Sequence, residues 1–393
     1  MMKPIRVLQI LNGFAVEGPL GGIERFGVEL AQAVDRATIE PIVYGMWSFQ
    51  AHNEEKWLGV LRDQQIEAFM PAVWDEAAPY RSFVRTVRAA RSYLSGRRVD
   101  VIHSHCQFGD VVALLMRRRL GARAIVRTVH NEREWGKRPG RRLLLTNFLF
   151  PLLFDAELGV SQQVVDNLRT RPVSRWLRQR VSKAYNSLNF ERFDAVDVDR
   201  RAKKASLGIP GEAQVVGSVG RLTAQKGYSV LLDAAAAVLA RRPDVYFLIV
   251  GSGELESELR QQTASLGIGE RVIFTGARSD VEELLQIMDL FASSSLWEGL
   301  PTVILESMAS RVPVIATRVS GNTELIEDGV TGRLIEPGDA TALAQGILDL
   351  LAADPELLAA MCARAYEYAR GTFSIERVAR QHETLYCELV DRR

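Results

Sequence analysis

Short continuous apolar runs rich in Val, Ile and Leu alternate along this chain with longer stretches in which apolar positions recur every three or four residues. The short runs fit strands buried on both faces, and the 3.6-residue spacing fits the helices that cover them. In the first half, Ile5–Leu11, Ile39–Tyr44, Val99–His103, Ala124–Val129 and Ala156–Val160 predict strands, while Gly22–Val34, Tyr80–Leu94, Gly109–Leu120 and Arg141–Phe154 predict helices. A polar stretch from Asn186 to Lys204, ending at Leu207-Gly208-Ile209-Pro210-Gly211, interrupts the pattern and predicts a linker. Beyond it, Val215–Val219, Tyr246–Val250, Val272–Phe274, Leu290–Ala292 and Val314–Ala316 predict strands. Tyr228–Ala240, Glu254–Leu266, Val281–Met288, Pro301–Ser310, Ala340–Leu351 and Pro355–Arg370 predict helices. The expected fold class is α/β, with two doubly wound Rossmann-like domains at 1–190 and 191–373. A last amphipathic segment, Ser374–Val390, follows a break at Gly371 and is expected to pack back on the first domain.

Length supports two cores, since 393 residues exceed what one usually holds. Hydrophobic residues at 47% and charged residues at 25% suit a globular protein. The longest apolar stretch, Leu143 to Phe154, is interrupted by Thr146, Asn147 and Pro151 and is too short to cross a bilayer. Met1 to Leu11 reads as a buried strand without the sections of a secretory signal, so a cytoplasmic location is expected. Cys106, Cys362 and Cys387 share no metal-ligand spacing and are expected to be reduced thiols.

Charge changes the picture. Residues 1–185 carry 28 Lys/Arg against 18 Asp/Glu, and residues 186–393 carry 21 against 30. A basic half suits a phosphorylated acceptor, an anionic membrane surface or a nucleic acid, or it partly pairs with the acidic half. Arg138, Arg141 and Arg142 precede the apolar stretch to Phe154, which reads either as a core helix with a charged first turn or as a segment that docks reversibly on an anionic bilayer at the inner membrane face.

Chemistry is expected at the carboxyl ends of the strands, where helix N-termini and loop amides converge. Gly220-Arg221-Leu222-Thr223-Ala224-Gln225-Lys226-Gly227 follows a strand and brings two cations to a helix start, a pattern suited to a diphosphate. Its order is not that of a phosphate-binding ATPase loop, since Lys226 precedes its glycine and no Ser or Thr follows to hold magnesium. After another strand comes Trp297-Glu298-Gly299-Leu300-Pro301, with Pro301 expected as the first helical residue and open amides at Gly299. Glu298 and Glu306 would lie roughly 12 Å apart along a continuous helix, a separation suited to gripping the ribose and the transferred sugar of a nucleotide sugar.

The turn Gly18-Pro19-Leu20-Gly21-Gly22 leads into Ile23-Glu24-Arg25 and can bring backbone amides close to a phosphate. His103 and His105 share one face of a strand end, where a zinc pair is conceivable but lacks a further ligand, and His130 ends the next strand. Asp197-Val198-Asp199 lies in the predicted linker, away from any strand end, and reads as solvated acid, so no metal is expected.

Glu298…Glu306 inside Glu-Gly-Leu-Pro…Glu-Ser-Met-Ala, together with Gly21-Gly22, Gly220-Arg221…Lys226-Gly227, Gly251-Ser252-Gly253-Glu254 and Phe274-Thr275-Gly276, resembles the signature of glycosyltransferase family 4. That resemblance implies the GT-B fold, two Rossmann-like domains facing across a cleft, and a retaining, metal-independent hexosyltransferase. It implies Arg221 and Lys226 on the donor diphosphate, Glu306 on the ribose, and Glu298 and His130 on the transferred sugar. Gly21, Gly22, Gly220, Gly251, Gly253, Gly299, Leu300 and Gly321 would complete the donor side, and Glu24 and Trp135 would face the acceptor.

This chain has Asn186-Ser187-Leu188-Asn189 where the family has Asn-Gly-Val-Asp at the interdomain crossing, and Ser320 where it has the first of two glycines. The implied reaction carries a sugar from a nucleotide-diphosphate donor to a glycan, lipid-linked or small-molecule acceptor in polysaccharide biosynthesis. No cofactor or nucleic-acid partner is expected. The departing phosphate can take the acceptor proton itself, so Glu298 need not act as a covalent nucleophile. A nucleotide-sugar epimerase of the same architecture and a non-catalytic nucleotide-sugar- or nucleic-acid-binding protein are the alternative readings.

Overall fold

The computed structural model of the chain describes residues 3–15, 21–51, 53–130, 134, 140, 144–177 and 180–392. The chain divides into two compact units, Met1–Ser187 with Ile375–Arg393, and Leu188–Ser374.

In the first unit, β1 (Ile5–Leu11), β2 (Ile39–Gly45), β3 (Glu67–Phe69), β4 (Val101–Ser104), β5 (Ala124–Val129), β6 (Ala156–Gly159) and β7 (Val181–Lys183) form a parallel sheet in the order β3-β2-β1-β4-β5-β6-β7. Neighbouring side chains on a strand point to opposite faces, so a parallel sheet needs cover on both. Val7, Val101 and Val126 pack on one face with Phe26 and Leu30 of the helix Gly22–Ala33 and with Val378, Tyr386 and Leu389 of the helix Ile375–Asp391. Leu8, Ile42, Ile102 and Ile125 occupy the other face, covered by Ala90 of the helix Pro79–Tyr93, by Val112 and Met116 of the helix Gln107–Leu120, and by Phe150 and Phe154.

The second unit repeats the scheme. Its strands β8 (Val215–Val219), β9 (Tyr246–Val250), β10 (Val272–Gly276), β11 (Leu290–Ser293), β12 (Val314–Thr317) and β13 (Arg333–Ile335) run parallel in the order β10-β9-β8-β11-β12-β13. Val216, Phe247 and Ile315 meet Leu231, Val238, Leu343 and Ile347 from the flanking helices Tyr228–Arg241 and Ala340–Leu351 in one core. In each sheet the order reverses beside the first strand, which opens a crevice at the carboxyl ends of β1 and β4 and of β8 and β11.

Several expectations are corrected. The stretch 186–204 is no plain linker: it holds the helix Phe190–Asp194 and the start of the helix Arg200–Ser206, whose first turn Asp199 caps by accepting from the N–H groups of Arg201 and Ala202. Gly371 does not break a helix, because Pro355–Phe373 is continuous and fully buried Ala369 and Phe373 outweigh the ~1 kcal/mol cost of an interior glycine. The stretch expected as one helix to Phe154 is described from residue 144 as a π-helical turn, Leu145–Leu149, followed by Phe150–Leu153. Strands β3, β7 and β13, of three residues each, are too short for a periodic signal. Among the described residues, no helix is long and apolar enough to cross a membrane.

Candidate active site

In the second unit, the loop after β8 forms a 3-10 turn, Ala224–Lys226, and then Gly227 in the left-handed region at φ 61 before the helix Tyr228–Arg241. A Cβ on Gly227 would lie 2.2 Å from the carbonyl oxygen of Ser294, so only glycine lets this loop meet the loop after β11. The two loops are stitched together. Leu296 N donates to the Gln225 carbonyl at 2.8 Å, and Ser294 Oγ donates to the Lys226 carbonyl at 2.9 Å. Gly251, at the end of β9, has φ 132, and a Cβ there would meet the Gly220 carbonyl oxygen at 2.0 Å. Gly253 continues this turn, where the Ser252 carbonyl accepts from Leu222 N at 3.0 Å.

Those contacts place the Lys226 ammonium against the Glu298 carboxylate, with Nζ 2.5 Å from Oε1. Ser295 Oγ donates to the same oxygen at 2.6 Å, and Gln225 Nε2 donates to Oε2 at 3.2 Å. Glu298 is buried and Lys226 half-buried. Gly299 and Leu300 follow, and Gly321 in the helix Ser320–Leu325 packs on the Gly299 carbonyl while Ser320 Oγ donates to the Glu298 carbonyl at 3.1 Å. Arg221 is exposed at the start of the first loop. Two expectations change here. Pro301 is the residue before the helix, extended at φ −76 and ψ 106, and the helix runs Thr302–Ala309. Glu298 therefore lies in the loop, while Glu306 sits half-buried on the second turn, so the two carboxylates are not borne on one continuous helix.

In the first unit, Gly21 caps the helix Gly22–Ala33. Glu24 is buried, accepting from Asn12 Nδ2 at 2.7 Å and from Gly21 N at 3.3 Å, so its carboxylate ties the end of β1 to the helix start. Asn12, His105, Asp110, Arg127, Thr128 and His130 contribute to the wall of a cavity of about 250 Å³ at the carboxyl ends of β1, β4 and β5. Trp135 and residues 18–20 of the expected N-terminal turn lie outside the described residues.

Around Phe26 the fold gathers four buried histidines. The rings of His105, His130 and His382 lie 5.7, 6.2 and 5.9 Å from that of Phe26, and His103 lies 4.1 Å from His105. His103 does not present its nitrogens to a metal: Nδ1 bonds the Tyr386 hydroxyl and Nε2 the Thr128 hydroxyl, each at 2.7 Å. Among the described residues, no group of three or more His, Cys, Asp or Glu is placed to hold a metal ion.

Burial holds all four histidines neutral. It drives His103 and His105 well below their ordinary value, His130 down to about 3 with the Asn186 side chain opposing, and His382 down to about 4. The unfolded chain takes up protons below about pH 6.5 that the fold refuses, so each histidine removes on the order of 1 kcal/mol of stability per pH unit on acidification. Asp110 acts oppositely. Burial raises it to about 6 against the pull of Arg127, so its contribution improves as pH falls through 6 towards 4. Burial also raises Glu157, but four histidines outweigh these two carboxylates, and the thermal midpoint of the first unit is expected to drop several degrees between pH 7 and pH 5. A flat or rising midpoint in a calorimetric series would contradict this.

Sequence reasoning missed Ser295 and Gln225, the uncharged partners of Glu298, and missed Asn12, Asp110, Arg127 and Glu134 in the first-unit cavity. Asn12, directly after β1, carried the same strand-end signal as the residues that were singled out. Arg127 lies inside the predicted strand Ala124–Val129, where the apolar run gives no sign of a buried cation that pairs with distant carboxylates.

Two consecutive doubly wound units, the second with a cation and a carboxylate paired at its strand ends, are the architecture of GT-B glycosyltransferases. The fold matches that of Anabaena HepE, solved in complex with UDP and glucose, with a TM-score of 0.78 at 23% identity over 97% of this chain and 99% of the other. The family model described as Glycosyltransferase Family 4 matches residues 20–192 and that described as Glycosyl transferases group 1 matches residues 199–371; the chain belongs to this family.

The lipopolysaccharide core biosynthesis glycosyltransferase LpsE of Rhizobium meliloti is 37% identical over 183 residues, 47% of this chain and 51% of that protein. The Escherichia coli UDP-Gal:alpha-D-GlcNAc-diphosphoundecaprenol alpha-1,3-galactosyltransferase is 25% identical over 312 residues, 76% of this chain and 77% of that protein. The chain thus spans about half the length of the first of these relatives and about three quarters of the second.

Proposed function

We propose that this protein transfers a sugar, with retention of anomeric configuration, from a nucleotide-diphosphate donor to a glycan or lipid-linked acceptor. The Lys226–Glu298 pair at the carboxyl ends of β8 and β11 carries this reading, because it sets a cation for a leaving phosphate beside a carboxylate for sugar hydroxyls. As the anomeric C–O bond breaks, positive charge builds on the sugar and negative charge on the β-phosphate. Lys226 and exposed Arg221 meet the phosphate, Glu306 the ribose, and Glu298 the sugar. Gly220, Gly251, Gly253, Gly299 and Gly321 bring backbone to the donor, and Leu300 closes beside it. Gly21 and Gly22 are assigned to the donor, His130 to the transferred sugar, and Glu24 and Trp135 to the acceptor.

The leaving phosphate removes the acceptor proton, so the step as proposed uses no protein nucleophile and no bound metal. The E. coli relative, named for transfer from UDP-Gal to a diphosphoundecaprenol-linked sugar, supports a lipid-linked acceptor and, with it, work at the cytoplasmic side of a membrane.

A thermal-shift screen with UDP-, GDP- and ADP-sugars is expected to show one donor raising the midpoint by mass action. Proton NMR of the product made with that donor is then expected to show an α-linkage from an α-donor. An inverted product, an isomerised donor formed without acceptor, or binding without turnover would each overturn the proposal.

A further inference from the structure

The two helical layers of the first unit differ on their outer surfaces. Pro79–Tyr93, Gln107–Leu120 and the segment ending in Phe154 all cover the same sheet face, the face of Leu8, Ile42 and Ile102. Their outward side chains therefore look away from the sheet on one side. Large apolar side chains are exposed there, as Leu144 (64% accessible), Phe148, Leu149, Leu152 (52%) and Leu153 on the segment that contains the π-helical turn. The short helix Pro172–Leu177 packs against this segment and adds Leu177 and Trp176, the latter 78% accessible.

Exposed arginines lie on the same helical layer. Arg117, at the end of the helix Gln107–Leu120, donates from Nη1 to the Leu153 carbonyl at 2.9 Å and pairs with Asp155 at 2.9 Å, which joins the end of that helix, with its exposed Arg118 and Arg119, to the apolar segment. Arg175 is exposed next to Trp176. The helix Pro79–Tyr93, which packs on Gln107–Leu120, exposes Arg81, Arg85, Arg88 and Arg91. Across these helices and the 144–153 segment the one carboxylate is Asp110, which is buried against Arg127. By contrast, the helix Ile375–Asp391 on the opposite layer mixes Glu376, Glu383, Glu388 and Asp391 with its arginines.

We propose that this face of the first unit docks on an anionic lipid bilayer, with Trp176 and the Leu144–Leu153 side chains entering the acyl boundary and the arginines meeting lipid phosphates. Exposed apolar surface of this size marks a site that something covers, and exposed arginines that outnumber the carboxylates of the described residues on this layer select a negatively charged cover. Apolar burial and attraction to anionic headgroups reinforce each other, and Trp suits the interface depth. The proposal rests on the reading above only for its purpose, which is to hold the enzyme where a lipid-linked acceptor resides.

Co-sedimentation of the whole protein with vesicles tests it without donor or acceptor, so its outcome is independent of sugar transfer. Phosphatidylcholine vesicles with about one third phosphatidylglycerol are expected to bind several-fold more protein than pure phosphatidylcholine, and binding is expected to weaken with salt. The variant Trp176→Glu/Leu152→Glu is expected to bind ~10-fold less, and Arg118→Glu/Arg119→Glu several-fold less. These side chains are exposed, so circular dichroism and the thermal midpoint are expected to match the parent. Equal binding to both vesicles, no binding, or unchanged binding by both variants would overturn the proposal. So would concentration-dependent dimerisation that Trp176→Glu/Leu152→Glu abolishes, since the patch would then be covered by a second copy.

Discussion

Lys226→Ala is expected to lower kcat/KM by about 10³-fold or more while leaving the second unit folded. Lys226 ends the 3-10 turn after β8, and its Nζ lies 2.5 Å from Glu298 Oε1. In the proposed reaction this ammonium stabilises the charge that develops on the leaving diphosphate, so its loss acts on the transition state and is expected mainly in kcat. Stability should suffer less. Glu298, only 5% exposed, keeps its bonds from Ser295 Oγ and Gln225 Nε2 when Lys226 is removed. The cost should be about 1–3 kcal/mol, the penalty for one lost charge-assisted bond at a group that remains hydrogen-bonded.

Steady-state kinetics with the preferred donor and urea unfolding separate the two effects. Glu298→Gln is the partner variant. If the two side chains act as a unit, the double variant loses much less than the product of the single losses. Turnover by Lys226→Ala at the parent rate would remove the diphosphate assignment.

The largest loss of stability is expected at Arg127. Among the described residues it is the largest fully buried side chain, and its guanidinium stacks 4.5 Å from the Phe150 ring. It pairs with Asp110 at 3.4 Å, with Glu157 at 3.6 Å and with Glu134, while Arg171 reaches Glu134 and Glu157 from the other side. Arg127→Met keeps much of the volume but leaves buried carboxylates without their central cation, at a cost of about 3–5 kcal/mol.

The deficit should shrink in mild acid. Arg127 is what holds Asp110 down to about 6 against burial, so without it Asp110 takes a proton more readily and the fold gains relative to the unfolded chain as pH falls. Urea titrations at pH 8 and pH 6 check both points. A loss below about 1 kcal/mol at pH 8 would mean that the cluster contributes little to holding the first unit together.

Much of this organisation was legible in the chain, for local reasons. The cores of β1, β5, β8 and β9 and the helix Ala340–Leu351 coincide with apolar runs and helical spacing, because burial on a sheet face or helix stripe is written at a fixed period. Glycines at 227 and 251 were legible as loop residues, although not the carbonyl oxygens that exclude any side chain there. Three-residue strands and the helices inside 186–204 left no periodic trace. Pro301 was misplaced by one position because a proline suits both the first helical residue and the residue before it, and only the observed ψ of 106 separates them.

From the amino-acid order alone came the two α/β units, the strand ends where chemistry gathers, and the candidate cations and carboxylates, since each depends on neighbours a few residues away. Tertiary structure alone decided who meets whom. Lys226 and Glu298 are 72 residues apart and touch because β8 and β11 lie side by side in the sheet, while His103 and Tyr386 are 283 apart and bond because the last helix returns to the first sheet. Strand order and the return of a distant helix follow from the joint burial of all the apolar faces, and no local window of the sequence contains that sum.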